Sequence, residues 1–181
     1  MTLPPWPSRA PAHGSVHLRE VGPEDVAMAR ELSTDPYVPQ TGSLPFTASN
    51  EEANAWIDRQ QGRHAEGAGF SFAIVWTAGN RAVGHCGLWL RDLSSGLATA
   101  GYAIAPSQRR RGYAADALLA LTGFGWTVPG LARIVLHVEP WNIASQRTAE
   151  RAGYVRQEAT ADHRIFSGET REMVVYEAVR P

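Results

Sequence analysis

Gly101-Tyr-Ala-Ile-Ala-Pro-Ser-Gln-Arg-Arg-Arg-Gly-Tyr-Ala-Ala-Asp116 places a strand end, a basic loop and a helix start in immediate succession. The apolar run Leu97 to Ala105 reads as a strand, and Pro106, which cannot donate to a ladder, ends it. Arg109, Arg110 and Arg111 follow without a break, and Gly112 opens a run of good helix formers from Ala114 to Leu121. A helix start leaves backbone N–H groups unpaired and carries partial positive charge, and a glycine there lets a ligand approach the backbone closely. The combination predicts an anion site suited to a phosphate or pyrophosphate. The plainer alternative is a solvated basic turn. The stretch lacks the second and third glycines of a dinucleotide fingerprint, and the chain has no Gly-Lys-Ser/Thr of a P-loop.

A second segment narrows the choice. Arg133-Ile-Val-Leu-His-Val-Glu-Pro-Trp-Asn-Ile-Ala-Ser-Gln-Arg-Thr-Ala-Glu-Arg-Ala-Gly-Tyr154 reads as strand, cap, helix and stop. Arg109-Arg110-Arg111-Gly112-Tyr113-Ala114 fits Arg/Gln-x-x-Gly-x-Gly/Ala and resembles the pyrophosphate loop of the GNAT superfamily of acyl-CoA N-acyltransferases. Asn142, Ser145, Glu150, Gly153 and Tyr154 fall on the positions of the N-x-x-S-x-x-x-x-E-K-x-G-F segment of its RimJ/RimL-type branch, with Arg151 in place of the lysine. The resemblance extends from about His17 onward.

Length and composition allow this. The 181 residues suit one domain, expected over 15–181 after an arm, 1–14, rich in proline. The net charge of −1 gives no global argument for nucleic acid or membrane binding. Only Arg109 to Arg111 would favour nucleic acid, and no such partner is expected. All the basic residues are arginine. The single cysteine, Cys86, lies in an apolar strand and reads as a buried thiol, so neither a disulfide nor a cysteine metal cluster is expected. No run is long enough to span a membrane, and the N-terminus lacks the pattern of a signal peptide, so the cytoplasm is the expected compartment.

Outward from the basic loop, the expected elements are a strand at Val16–Val21, a helix from Pro23 to about Leu32, and an irregular stretch from Asp35 to Thr47. Ser49-Asn-Glu-Glu52 is a capping box that starts a second helix, to about His64. Phe70 to Trp76 and Arg81 to Leu90 form a hairpin, in which His85 and Cys86 read as core. A helix from Gly112 to about Thr127, a strand from Ala132 to Glu139, and a helix capped by Asn142 and stopped by Gly153 follow. Two strands, Tyr154–Ala159 and Met173–Val179, close the chain, with Ser167-Gly168 in the loop between them. Trp6 is the apolar anchor that would order the arm.

This order is α+β with a mixed sheet, and it matches the GNAT arrangement, a mostly antiparallel sheet with splayed fourth and fifth strands and flanking helices. The resemblance implies that acetyl-CoA is the co-substrate, with no metal, and that its pantetheine arm lies in the splay, paired with backbone near Ala103, Ile104 and Ala105. Arg109, Arg110, Arg111, Gly112, Tyr113 and Ala114 would hold the pyrophosphate, and Asn142, Ser145 and Arg151 are further contacts it implies. Ser145 is the candidate acid for the leaving thiolate, against a plain helix-start hydroxyl. Val135, His137 and Glu139 share one strand face, so His137 and Glu139 are the candidate bases, directly or through water. The neighbouring strand offers no acid, which leaves open whether a protein base is used.

The acceptor side is expected from two irregular segments, 35–47 and 161–172, with Tyr37, Phe46, Asp162, His163, Phe166, Arg171 and Glu172. It suits a protein N-terminal α-amine or a small amine. Rival readings are a GNAT-fold transferase using another acyl-CoA or an aminoacyl donor, and a silent CoA-binding sensor. A monomer and a homodimer both remain open.

Overall fold

The computed structural model describes residues 3–166 and 168–181, with side chains throughout except over 158–166. Ser167 of the last turn and the acceptor-side side chains of Asp162, His163 and Phe166 lie outside the described residues. In chain order the elements are β1 (Ala12–His13), β2 (Val16–Glu20), α1 (Val26–Leu32), α2 (Asn50–Ala65), β3 (Gly69–Trp76), β4 (Arg81–Trp89), β5 (Leu97–Ile104), α3 (Tyr113–Gly125), β6 (Arg133–Val138), α4 (Ile143–Arg151), β7 (Val155–Phe166) and β8 (Glu169–Val179). The strands form one eight-stranded sheet in the order β1-β2-β3-β4-β5-β6-β8-β7.

Helices cover both faces. In α2, Ala53, Trp56, Ile57 and Gln60 recur at helical spacing and are buried; with α1 they pack on Ala73 and Val75 of β3. The capping box forms as read: Ser49 N–H donates to Glu52 Oε2 at 2.8 Å, and Glu52 N–H to Ser49 Oγ at 3.2 Å. On the other face α3 buries Ala117, Leu118, Leu121 and Phe124 against Phe70, Phe72, Ile134 and Leu136. Glu150, Gly153 and Tyr154 are structural. Gly153 ends α4 at φ 82. Tyr154 meets Thr122 of α3, hydroxyl to hydroxyl at 2.7 Å, and Glu150 accepts a 3.2 Å bond from Tyr176 of β8.

The condition set for the arm is met, and two other expectations change. The arm is docked, because Trp6 stands edge-on to Phe70 and Phe72 with 5.2 Å between centroids, and β1 adds an edge strand. Pro23–Asp25 is a 3₁₀ turn, so α1 begins only at Val26. The stretch read as irregular over 161–172 is a hairpin: β7 and β8 pair from Ala161–Val174 to Phe166–Glu169. Charged residues on both arms mask the alternation there, while the glycine of Ser167-Gly168 supplies the positive φ, 83°, of a tight turn. A register shift between Gln157 and Ala161 separates this part from the expected strand.

Cys86 is fully buried. His85 faces the other layer, its Nε2 2.7 Å from Ser71 Oγ, which donates to Gln60 Oε1 at 3.0 Å. Burial pulls its pKa down to about 4, and the charge of Arg63 adds to this. An unfolded histidine titrates near ~6.5, so below that pH the unfolded chain binds the extra proton and the native state does not. This contribution to stability is complete above pH ~6.5 and falls by at most about 1.4 kcal/mol per unit down to the folded value. Between pH 7 and 4 the melting temperature should therefore fall more steeply with pH in the wild type than in His85→Gln; equal pH dependence would remove His85 from the acid response.

Candidate active site

The strands β5 and β6 run parallel and pair at Leu97–Arg133, Ala98–Ile134 and Thr99–Val135, then part. A cleft of about 960 Å³ opens in the gap, lined by 99–104 of β5, by Leu136, His137 and Val138 of β6, and by the 108–115 loop and helix start. Ala100, Gly101 and Ala103 of β5 add little bulk to the gap, and Tyr102 is the one ring that β5 brings to its lining.

The anion-ready loop forms one end. Gly112 caps α3 at φ 84, and Arg110 is also left-handed at φ 62. The first backbone bond of the helix runs from Asp116 N–H to Gly112 O, so the N–H groups ahead of it have no intrahelical acceptor. A Cβ built on Gly112 meets nothing within 4 Å. Arg109, Arg110, Arg111, Tyr113, Ala114 and Arg151 line the same cleft. Arg109 is bound to the protein itself: Nη2 lies 2.6 Å from Asp35 Oδ2, and Nε donates to Ile104 O at 3.0 Å. Burial alone would push the Asp35 carboxyl up, but the N–H of Val38, Arg109 and the N–H of Tyr37 outweigh it and hold it below the ordinary carboxylate range.

The cleft also reaches the start of α4. Asn142 Oδ1 accepts the N–H of Ser145 at 3.1 Å, the expected cap. Ser145 Oγ is 2.8 Å from the hydroxyl of Tyr102 on β5. Burial raises the Tyr102 pKa above 10, against the opposing pull of its bonds to Ser145 and Thr148. Sequence reasoning missed Tyr102 as a site residue. The available signal was its alternation with Ala98 and Ala100, which puts one hydroxyl on a strand face of small residues.

His137 lines this cleft, but Glu139 does not. Glu139 is buried in a second, adjoining pocket of about 450 Å³ with Tyr37, Gln40, Trp141, Glu169 and Arg171. The Tyr37 hydroxyl bonds to Glu139, its ring stands edge-on to Trp141 at 5.0 Å, and Arg171 Nη1 lies 3.5 Å from Glu139 Oε2. Burial and the Glu139 charge drive the Tyr37 pKa far up, so its phenol stays a donor. Of the expected acceptor residues, Tyr37 and Arg171 meet here. Glu172 and Phe46 are not among the lining residues. Glu172 is exposed on β8 next to Arg171, where alternation sends it to the other face.

The Acetyltransferase (GNAT) domain matches residues 15–155. The chain belongs to the GNAT acetyltransferase family. As a GNAT N-acetyltransferase it is 24% identical over 164 residues to the uncharacterized N-acetyltransferase p20 of Bacillus licheniformis, covering 90% of this chain and 92% of that one. Mycobacterium smegmatis RimJ, solved with CoA-disulfide, matches the GNAT fold at TM-score 0.77 and 21% identity over 96% of this chain and 88% of that one. The ribosomal alpha-N-protein acetyltransferase RimL, solved with coenzyme A, matches at TM-score 0.77 and 18% identity over 94% and 97%. No helix among the described residues of this GNAT enzyme is long and apolar enough to cross a membrane.

Proposed function

We propose that the chain transfers an acetyl group from acetyl-CoA to a primary amine, with a protein N-terminal α-amine as the first acceptor to test. One observation carries this reading: a single cleft joins the arginine loop and the open N-terminus of α3 to the Ser145–Tyr102 pair, beside a pocket that holds a carboxylate. The RimJ/RimL-type motif of α4 and the two CoA-bound neighbours support the donor and the acceptor class.

Bound acetyl-CoA supplies an acyl carbon already activated as a thioester. The protein's part is positioning, worth much of the rate when the reacting atoms are held in contact. The 109–114 loop takes the pyrophosphate, and backbone of Ala103 and Ile104 faces the pantetheine arm; Ala105, expected to join them, is buried outside the cleft with its N–H on Val83 O and its carbonyl on Gln108 N–H. Because Arg109 Nε occupies Ile104 O, that carbonyl is partly used already. Ser145 Oγ donates to the departing sulfur while Tyr102 donates to Ser145. Burial raises the Tyr102 phenol above its ordinary range, so it holds its proton rather than passing it to the sulfur. The pair therefore stabilises the thiolate by hydrogen bonding, and solvent delivers the proton. Glu139, tied to Tyr37 and Arg171, is placed to draw the acceptor ammonium into the second pocket. An α-amine titrating near ~8 is partly neutral at pH 7, so loss of its proton to solvent suffices.

The test is release of CoA from acetyl-CoA with a panel of peptides bearing free N-termini, polyamines and amino-acid derivatives. Turnover with peptides is the expected result. CoA binding without turnover on any amine would favour a sensor, and faster turnover of a longer acyl-CoA would change the donor.

Asn142→Ala should lower stability by about 1 kcal/mol through loss of the cap. Calorimetry with acetyl-CoA on the folded variant separates two roles. An affinity loss beyond what instability explains assigns Asn142 a contact to the pantetheine arm; unchanged affinity leaves it a cap alone.

A further inference from the structure

The segment 35–41 borders the donor cleft itself, through Asp35, Pro36, Tyr37, Val38 and Thr41, and is fastened on both sides. On the side of the basic loop, Arg109 Nη2 reaches Asp35 Oδ2 at 2.6 Å, and Ser107 N–H donates to Glu31 Oε1 at 2.7 Å. Asp35 is buried, and its other oxygen accepts the N–H of Tyr37 and of Val38, both at 2.8 Å. On the side of the second pocket, Tyr37 bonds Glu139 and packs on Trp141, and Arg171 Nη2 donates to Gln40 Oε1 at 2.8 Å. One buried carboxylate thus holds the arginine of the donor loop and the two amides that aim Tyr37 at the acceptor pocket.

We propose that Asp35 is a positioning residue that passes occupancy of the 109–114 loop to the acceptor pocket. The proposal rests on that loop being the seat of CoA. An anion on the loop's N–H groups restrains its backbone. Arg109, anchored at Ile104 O, is then held on Asp35, and the amides of Tyr37 and Val38 open less often. The donor site and the acceptor pocket are coupled through one ion pair, and the coupling works in both directions.

The test is amide hydrogen exchange over 35–41, with and without saturating CoA, in the wild type, in Asp35→Asn and in Arg109→Gln. Asp35→Asn keeps an oxygen for the two amides and removes the charge. Arg109→Gln breaks the same pair from the other side and stands in if the first variant does not fold. Calorimetry measures CoA binding to each protein. The expected result is slowing by about fivefold or more in the wild type and by less than about twofold in either variant, each at a CoA concentration that calorimetry shows to saturate it; a wild type that binds CoA without slowing overturns the proposal. If the variants bind CoA and keep the wild-type slowing, direct contact protects the segment and the proposal is overturned. If the wild type does not bind CoA, calorimetry shows it at once, and the reading of the donor site falls together with the proposal.

Discussion

Gly112→Trp abolishes CoA binding and leaves the fold standing: that is the expected result of placing bulk where the pyrophosphate is proposed to sit. Gly112 has φ 84, and a Cβ there would enter open space at the edge of the cleft. Any L-residue at this φ adds strain of about 1–2 kcal/mol, so a loss of affinity alone would be ambiguous. Gly112→Ala carries the same strain with almost no bulk and serves as the control. Calorimetry should show a loss of about 100-fold or more for the tryptophan, because several charge-assisted bonds to the phosphates go together, and a much smaller loss for the alanine. Equal losses in the two variants would put the effect down to backbone strain. Wild-type affinity in a folded Gly112→Trp would remove the loop from the donor site.

Ser145→Ala should lower kcat by about 100-fold with little change in the KM for acetyl-CoA, the scale seen when one donor to a developing charge is removed. Tyr102→Phe should act in the same direction, because its hydroxyl is 2.8 Å from Ser145 Oγ. The double variant should be little worse than Ser145→Ala, since the two hydroxyls act as one unit. Full activity in Ser145→Ala would reduce Ser145 to a second hydroxyl at a helix start. The pH–rate profile separates the base from the acid. With no protein base, the ascending limb belongs to the amine and moves when an amine of different pKa is supplied. A limb fixed near ~6.5 that disappears in His137→Ala would make His137 the base. A limb at lower pH lost in Glu139→Gln would give that role to Glu139.

What the sequence made legible was local. The cap at Asn142, the capping box at Ser49 and Glu52, and the glycine-opened helix at Gly112 each depend on residues within one turn, and all three form. The expected core face of β6 also holds, with Ile134, Leu136 and Val138 in the core cluster and His137 outside it. The contacts that organise the site were not legible. Tyr102 meets Ser145 across 43 residues, Arg109 meets Asp35 across 74, and Gln40 meets Arg171 across 131. No local pattern encodes such pairs; they exist only once β5, β6 and β8 are side by side. The hairpin of β7 and β8 was hidden for another reason. In its outer part the apolar residues Ala161, Ile165 and Phe166 do not alternate with the polar ones, and the facing arm opens Glu169-Thr-Arg-Glu172, so no period of two shows in the sequence.

The most direct test of the central claim is a crystal structure of the protein with CoA bound. The account predicts the pyrophosphate on backbone N–H groups between Arg110 and Ala114, the pantetheine arm between β5 and β6 beside Ala103 and Ile104, and the sulfur within hydrogen-bonding reach of Ser145 Oγ. CoA seated outside the gap between β5 and β6, or its sulfur directed away from α4, would contradict it.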